Sequence, residues 1–144
     1  MRILIVEDDP VSRRFLEKIL QNLGHDVTAC TNGREAWEAY RQGNYPVVIS
    51  DWMMPEIDGI ELCRRVRAHV RPDYCFFIML TAKTSKTDFL EAMDAGADDY
   101  LTKPLDRDEI EVRLRVTQRI LRLHNGQAPS KKLYGVPPLK KTSW

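Results

Sequence analysis

Four short apolar runs in this chain each stop on a residue that carries chemistry, and that pattern restricts the fold more than any other feature. Ile3-Leu4-Ile5-Val6 stops on Glu7-Asp8-Asp9, and Val47-Val48-Ile49-Ser50 stops on Asp51. Residues 75–80 stop on Thr81, and Tyr100-Leu101-Thr102 stops on Lys103-Pro104. Short, continuously apolar, β-branched runs are how parallel strands buried on both faces read. Residues 27–30 form a further, weaker strand.

Helical patterns separate the runs. Asp9 before Pro10 matches an N-cap with proline at the first helical position. Val11, Phe15, Ile19 and Leu23 then recur every four residues as the expected buried face, and Gly24 ends that helix. Residues 32–41 form a second helix, burying Ala36, Trp37 and Tyr40 and ending near Gly43. Pro55 and Gly59 punctuate the loop after Asp51. Residues 60–70 form a third helix along Ile60, Cys63 and Val66/Arg67, and residues 87–95 a fourth, closed by Gly96. A fifth, longer helix runs from Asp106 to about His124. Phe15, Trp37, Tyr40 and the aliphatic helix positions are expected in the core.

Five strands alternating with five helices through short loops predict an α/β, doubly wound parallel sheet with helices on both faces. The working crevice of such folds lies at the carboxyl ends of the strands. Glu7, Asp8, Asp51, Thr81 and Lys103 all sit at those ends.

At 144 residues the chain has the length of one domain, with 43% hydrophobic and 30% charged residues, a soluble globular balance. No apolar run approaches the roughly 20 residues of a membrane helix, and the start is too short and acidic for a signal peptide. Cys30, Cys63 and Cys75 lack a CxxC spacing and read as reduced, buried thiols of a cytoplasmic protein. Residues 1–112 carry 14 basic against 21 acidic side chains, whereas the remainder carries eight basic and no acidic ones. An acidic body with a basic tail does not suit direct nucleic-acid binding. After His124 the pattern dissolves into Pro, Gly, Lys and Ser, so residues 1–122 form the domain and 123–144 a basic, Pro-containing tail or linker.

Three carboxylates at neighbouring strand ends repel one another. A hard divalent cation offsets that repulsion, and oxygen ligands with room for water suit Mg²⁺. Lys103 adds a second positive charge and Thr81 a hydroxyl, which together match the needs of a transferring phosphoryl group. No GxxxxGK[ST] loop is present, so the phosphoryl group is expected from elsewhere than bound ATP. His25, His69 and His124 are scattered, which argues against a zinc site or a phosphohistidine. Asp98 and Asp99 read as loop acids rather than ligands. Along the fifth helix, Ile110, Leu114, Thr117 and Leu121 make one stripe, and Val112, Val116, Ile120 and Leu123 a second. A helix with one buried face does not need the second stripe. It either meets another subunit, continues as a linker to an output domain, or is a set of scattered exposed aliphatics.

ILIVEDDP, VVISDWMMPEIDG, FFIMLTAK and AGADDYLTKP, in that order, resemble the receiver domain of two-component response regulators, the chemotaxis receivers among them. The resemblance covers residues 1–122, and the spacings from Asp8 to Asp51, Thr81 and Lys103 fit it. It implies a flavodoxin-like fold of strand order 2-1-3-4-5. It also implies that Asp51 is the phosphoacceptor for a sensor histidine kinase or phosphotransfer protein. Asp8, Asp51 and the Met53 carbonyl would ligate Mg²⁺, with Glu7 acting through water. Lys103 and Thr81 would contact the phosphoryl oxygens, assisted by the backbone N–H groups of Trp52 and Ala82. Tyr100 would be the aromatic switch that follows Thr81, and Lys103-Pro104 a cis peptide.

By the same resemblance, Met53 and Lys83 tune the phosphoryl lifetime. The face of the fourth helix, fifth strand and fifth helix would control a partner or output domain, or pair two copies. Glu7 stands where an aspartate is common, and Pro46 where many members carry an acid before the third strand. The chain is then no enzyme beyond its own phosphorylation and dephosphorylation. Three alternatives stand beside this: an aspartyl-phosphate phosphatase, a receiver-shaped module that is not phosphorylated, and the receiver piece of a larger regulator, cyclase or kinase. Met53 argues against the phosphatase, which needs a second acid two residues after its nucleophile.

Overall fold

The computed structural model describes residues 1–125, so nearly all of the tail assigned to 123–144 lies outside the described residues. Five strands, β1 (Arg2–Val6), β2 (Asp26–Cys30), β3 (Val47–Asp51), β4 (Phe76–Thr81) and β5 (Asp99–Thr102), form one parallel sheet in the order β2-β1-β3-β4-β5. Between and after them run α1 (Pro10–Asn22), α2 (Gly33–Gln42), α3 (Gly59–Ala68), α4 (Lys86–Ala95) and α5 (Arg107–His124). The strand order and the alternation agree with the sequence expectation, with element ends shifted by a residue or two.

Alternation along the strands feeds two cores. Leu4, Val6, Val48, Phe77 and Met79 face α2, α3 and α4, meeting Ala36, Tyr40, Leu62, Cys63 and Ala92. Ile3, Ile5, Val47, Ile49 and Ile78 face α1 and α5, meeting Leu16, Leu20, Ile110 and Leu114. Both faces of each central strand are therefore covered, which explains their unbroken apolar character.

The helix starts follow local chemistry. Asp9 accepts the Ser12 N–H at 2.8 Å, Asn32 the Glu35 N–H, Asp58 the Glu61 N–H and Ser85 the Asp88 N–H, each a side-chain cap on a free backbone donor. Gly96 ends α4 in the left-handed region at φ 111°. Pro46 lies just before the paired residues of β3, where no ladder donor is called for, and its carbonyl accepts the Phe76 N–H.

One expectation fails in α1. Its buried residues are Leu16, Ile19 and Leu20, whereas Val11 is 78% and Phe15 48% exposed. A strict four-residue repeat overshoots a full turn by about 40° at each step, so Val11 and Phe15 rotate off the face that Ile19 occupies. Trp37 is only partly buried at the edge of its core, while Tyr40 is fully buried. Val70, expected in the third helix, lies beyond its end and is exposed. The stripes of α5 separate as expected: Ile110, Leu114, Thr117 and Leu121 are buried, and Val112, Val116, Ile120 and Leu123 are exposed.

Candidate functional site

The parallel register brings the strand ends level. Asp51 lies opposite Leu80 of β4, one residue before Thr81, and Thr81 lies opposite Thr102 of β5, one residue before Lys103. Glu7 directly follows Val6, which pairs with Ser50. The Lys103 N–H donates to Thr81 O at 2.8 Å, and Lys103-Pro104 is cis, as expected.

Carboxylate oxygens of Glu7, Asp8 and Asp51 lie within 4.8 Å of one another. Glu7 is 1% and Asp51 7% exposed, whereas Asp8 is open to solvent. One ammonium serves two of the acids: Lys103 Nζ lies 2.5 Å from Glu7 Oε1 and 3.1 Å from Asp51 Oδ2. Burial pushes the Glu7 carboxyl above its ordinary value, and the neighbouring Asp51 adds to the rise while Lys103 opposes it. Burial works against the Lys103 charge, but its hydrogen bonds to Glu7 and Asp51 outweigh it and hold the ammonium above its ordinary pKa. The set carries more negative charge than Lys103 neutralises, and its donors are all hard oxygens. Those are the terms on which a Mg²⁺ ion fits.

Thr81 is buried, and its Oγ1 accepts the Lys83 N–H at 2.9 Å. The Tyr100 hydroxyl donates to Lys83 O at 2.8 Å, while its ring packs edge-on against Phe89 and Trp52. Tyr100 thus touches the same turn that Thr81 holds. Lys83 Nζ lies over the Trp52 ring at 4.6 Å and 3.7 Å from Asp88 Oδ1. The Trp52 N–H points to Asp51 Oδ1 and Leu80 O, each at 2.9 Å. Met53 and Ala82 are exposed at the ends of β3 and β4. The structure thus brings Glu7, Asp8, Asp51 and Lys103 together, with Thr81 tied to Lys103 through its backbone and Tyr100 to the turn after Thr81.

One contributor was missed in the sequence. Gly59 is more than loop punctuation: a Cβ there would meet Asp51 O at 2.5 Å and Met79 Sδ at 2.7 Å, so its bareness lets α3 abut the Asp51 backbone. Asp98, expected to be a loop acid rather than a ligand, is a loop acid: it lies outside the metal-capable cluster and pins the start of β4, accepting from Arg67 Nη2 at 2.5 Å, from the Phe77 N–H at 2.9 Å and from the Tyr74 hydroxyl. The spacing of Asp98 to those partners in sequence gives no signal. For Gly59, its place between the loop and an apolar helix was the one available hint. The histidines are scattered as expected: His25 meets the amino terminus, His69 packs on Trp37 and Tyr40, and His124 on Tyr74.

Comparison with known proteins agrees with this geometry. The family model for the response regulator receiver domain matches residues 3–115. The chain is 43% identical over 119 residues to the transcriptional regulatory protein TcrA of Mycobacterium tuberculosis, covering 83% of this chain and 46% of the relative. It thus spans about half the length of the curated relatives it matches. Among solved structures, the receiver domain of the Francisella response regulator 1452 superposes with a TM-score of 0.76 at 33% identity, covering 83% of this chain and 97% of that one. The receiver domain of the sensor histidine kinase PA1611 from Pseudomonas aeruginosa, solved with magnesium coordinated in its active site cleft, superposes with a TM-score of 0.71 at 34% identity, covering 87% of this chain and 97% of that one.

Proposed function

Because the chain belongs to the response regulator receiver domain family, we propose that it accepts a phosphoryl group on Asp51 from a sensor histidine kinase or phosphotransfer protein. The observation that carries this reading is the single ammonium of Lys103 shared between Asp51 and Glu7 beside the exposed Asp8. Such a set is short of positive charge until a cation arrives, and an incoming phosphoryl group adds to that need.

One Asp51 oxygen forms the new P–O bond as the donor's P–N bond breaks. The electron pair of that bond stays on the donor imidazole, which takes up a proton. Asp8, Asp51 and the Met53 carbonyl would hold Mg²⁺, with Glu7 reaching it through water; bound there, the ion supplies charge neutralisation for the phosphoryl oxygens. Lys103 turns from Glu7 and Asp51 to a phosphoryl oxygen. Thr81 donates its hydroxyl to another, and the N–H groups of Trp52 and Ala82 assist.

Once Thr81 turns toward phosphate, the turn held by Lys83 and Tyr100 shifts, and the α4-β5-α5 face changes with it. That face is read by a downstream effector, an output domain or a second copy of the chain. The protein acts on no other substrate, works in the cytoplasm, and its chemistry ends with its own dephosphorylation. Intact-mass measurement after incubation with acetyl phosphate and Mg²⁺ tests the assignment: the wild type gains one phosphoryl group and Asp51→Asn gains none. Equal gains in both overturn it.

A further inference from the structure

The guanidinium of Arg13, one turn into α1, faces two backbone carbonyls of the loop that carries the acids, and its backbone N–H makes the first helical bond to the third. Its Nη1 donates to Glu7 O at 3.0 Å and reaches Asp8 O at 3.5 Å, and its backbone N–H donates to Asp9 O at 2.9 Å. Among the described residues none hydrogen-bonds the Asp8 carboxylate, so the position of that group follows from the backbone beneath it. Glu7, by contrast, is fixed directly by Lys103 and by the Asp9 N–H at 3.3 Å.

We propose that Arg13 is a positioning residue for the cation site: it holds the 7–9 loop so that Asp8 presents its carboxylate to the ion, and thereby sets the Mg²⁺ affinity of the receiver. The inference rests on the function proposed above, but its own content is the role of Arg13. Two effects of the guanidinium oppose each other. Its positive charge near three acids weakens their pull on a cation, whereas its hydrogen bonds hold the acids where that pull is useful. The two effects predict opposite signs on removal, which makes the choice between them measurable.

The experiment is a Mg²⁺ titration of the full chain carrying Trp37→Phe and Trp144→Phe, so that Trp52, the residue next to Asp51, is the reporting fluorophore, with urea unfolding of the metal-free proteins alongside. If positioning dominates, Arg13→Met weakens Mg²⁺ binding about tenfold, in line with lost outer-sphere support at other metal sites. Arg13→Lys, which keeps the charge and reaches one carbonyl at a time, falls between Arg13→Met and the wild type. Affinity in Arg13→Met that is unchanged or tighter overturns the proposal, because loss of charge alone tightens binding and a merely structural role moves only the urea midpoint. Should Arg13→Met not fold, Arg13→Lys decides: binding several-fold weaker than wild type supports the positioning role, and equal binding overturns it. A wild type whose fluorescence does not respond to Mg²⁺ defeats the cation site itself, and the role of Arg13 with it.

Discussion

Cys30, Cys63 and Cys75 all lie in the core between the sheet and the α2, α3 and α4 helices, and none is in a disulfide. Burial pushes the Cys30 and Cys75 thiols up to about 12 and Cys63 to about 11. The thiolate is the reactive form, so at pH 8 the folded protein should leave an aromatic disulfide reagent unreacted, and all three thiols should react together in denaturant. Fast reaction of any one without denaturant contradicts this burial. Residues of this kind were readable in advance because their cause is local: an apolar neighbourhood in sequence becomes one in space. Glu7, Asp8, Asp51, Thr81 and Lys103 were readable for a related reason, since each ends a strand and strand ends converge. Gly59, Arg13 and Asp98 were not. The role of Gly59 depends on how closely α3 abuts β3, that of Arg13 on a side-chain rotamer, and that of Asp98 on partners 21 to 31 residues away.

The helices differ in how well their buried faces could be foreseen. In α5 the stripe Ile110, Leu114, Thr117, Leu121 mixes three- and four-residue steps, which keeps it on one side of the helix, and the structure buries it. In α1 a pure four-residue stripe drifted, and the true face uses Leu16, Ile19 and Leu20. The two stripes of α5 should separate in stability. Leu114→Ala should cost about 2–5 kcal/mol by opening a cavity beneath α5. Val112→Ala, on the exposed stripe, should stay within about 0.5 kcal/mol; urea denaturation distinguishes them, and equal losses would place both stripes in the core. The exposed stripe has its own consequence at this scale. If it pairs two copies after phosphorylation, the wild type treated with acetyl phosphate and Mg²⁺ should double in mass by analytical ultracentrifugation. Ile120→Glu should then remain a monomer. Unchanged mass in both proteins with and without phosphorylation leaves the stripe to a partner or linker.

Across the molecule, the alternation that makes a parallel sheet was legible in the residues, whereas the strand order came from the family resemblance and not from the residues themselves. The order had also to bring one acid-bearing end beside the next, and β1 beside β3 does so. Only the native sheet assembles the acids, so a cation that binds them binds no unfolded chain, and its binding free energy adds directly to folding stability. Mg²⁺ at ten times its dissociation constant should add about 1.4 kcal/mol, visible as a rise of a few degrees in the thermal midpoint. Asp51→Asn should be more stable than the wild type without Mg²⁺, through relief of repulsion, and should lose most of the rise with it. An equal rise in both proteins would put the ion elsewhere.

The shared ammonium of Lys103 gives this linkage a direction in time. β5 is the last strand of the sheet, so during synthesis the acids of β1 and β3 emerge well before the Lys103 ammonium that, among the described residues, faces them. Until residue 103 arrives, no ammonium stands opposite Glu7 and Asp51, and the sheet that brings the acids together is itself unfinished. The cation site is thus completed with the last strand, and Mg²⁺ bound there would seal a finished fold rather than start one.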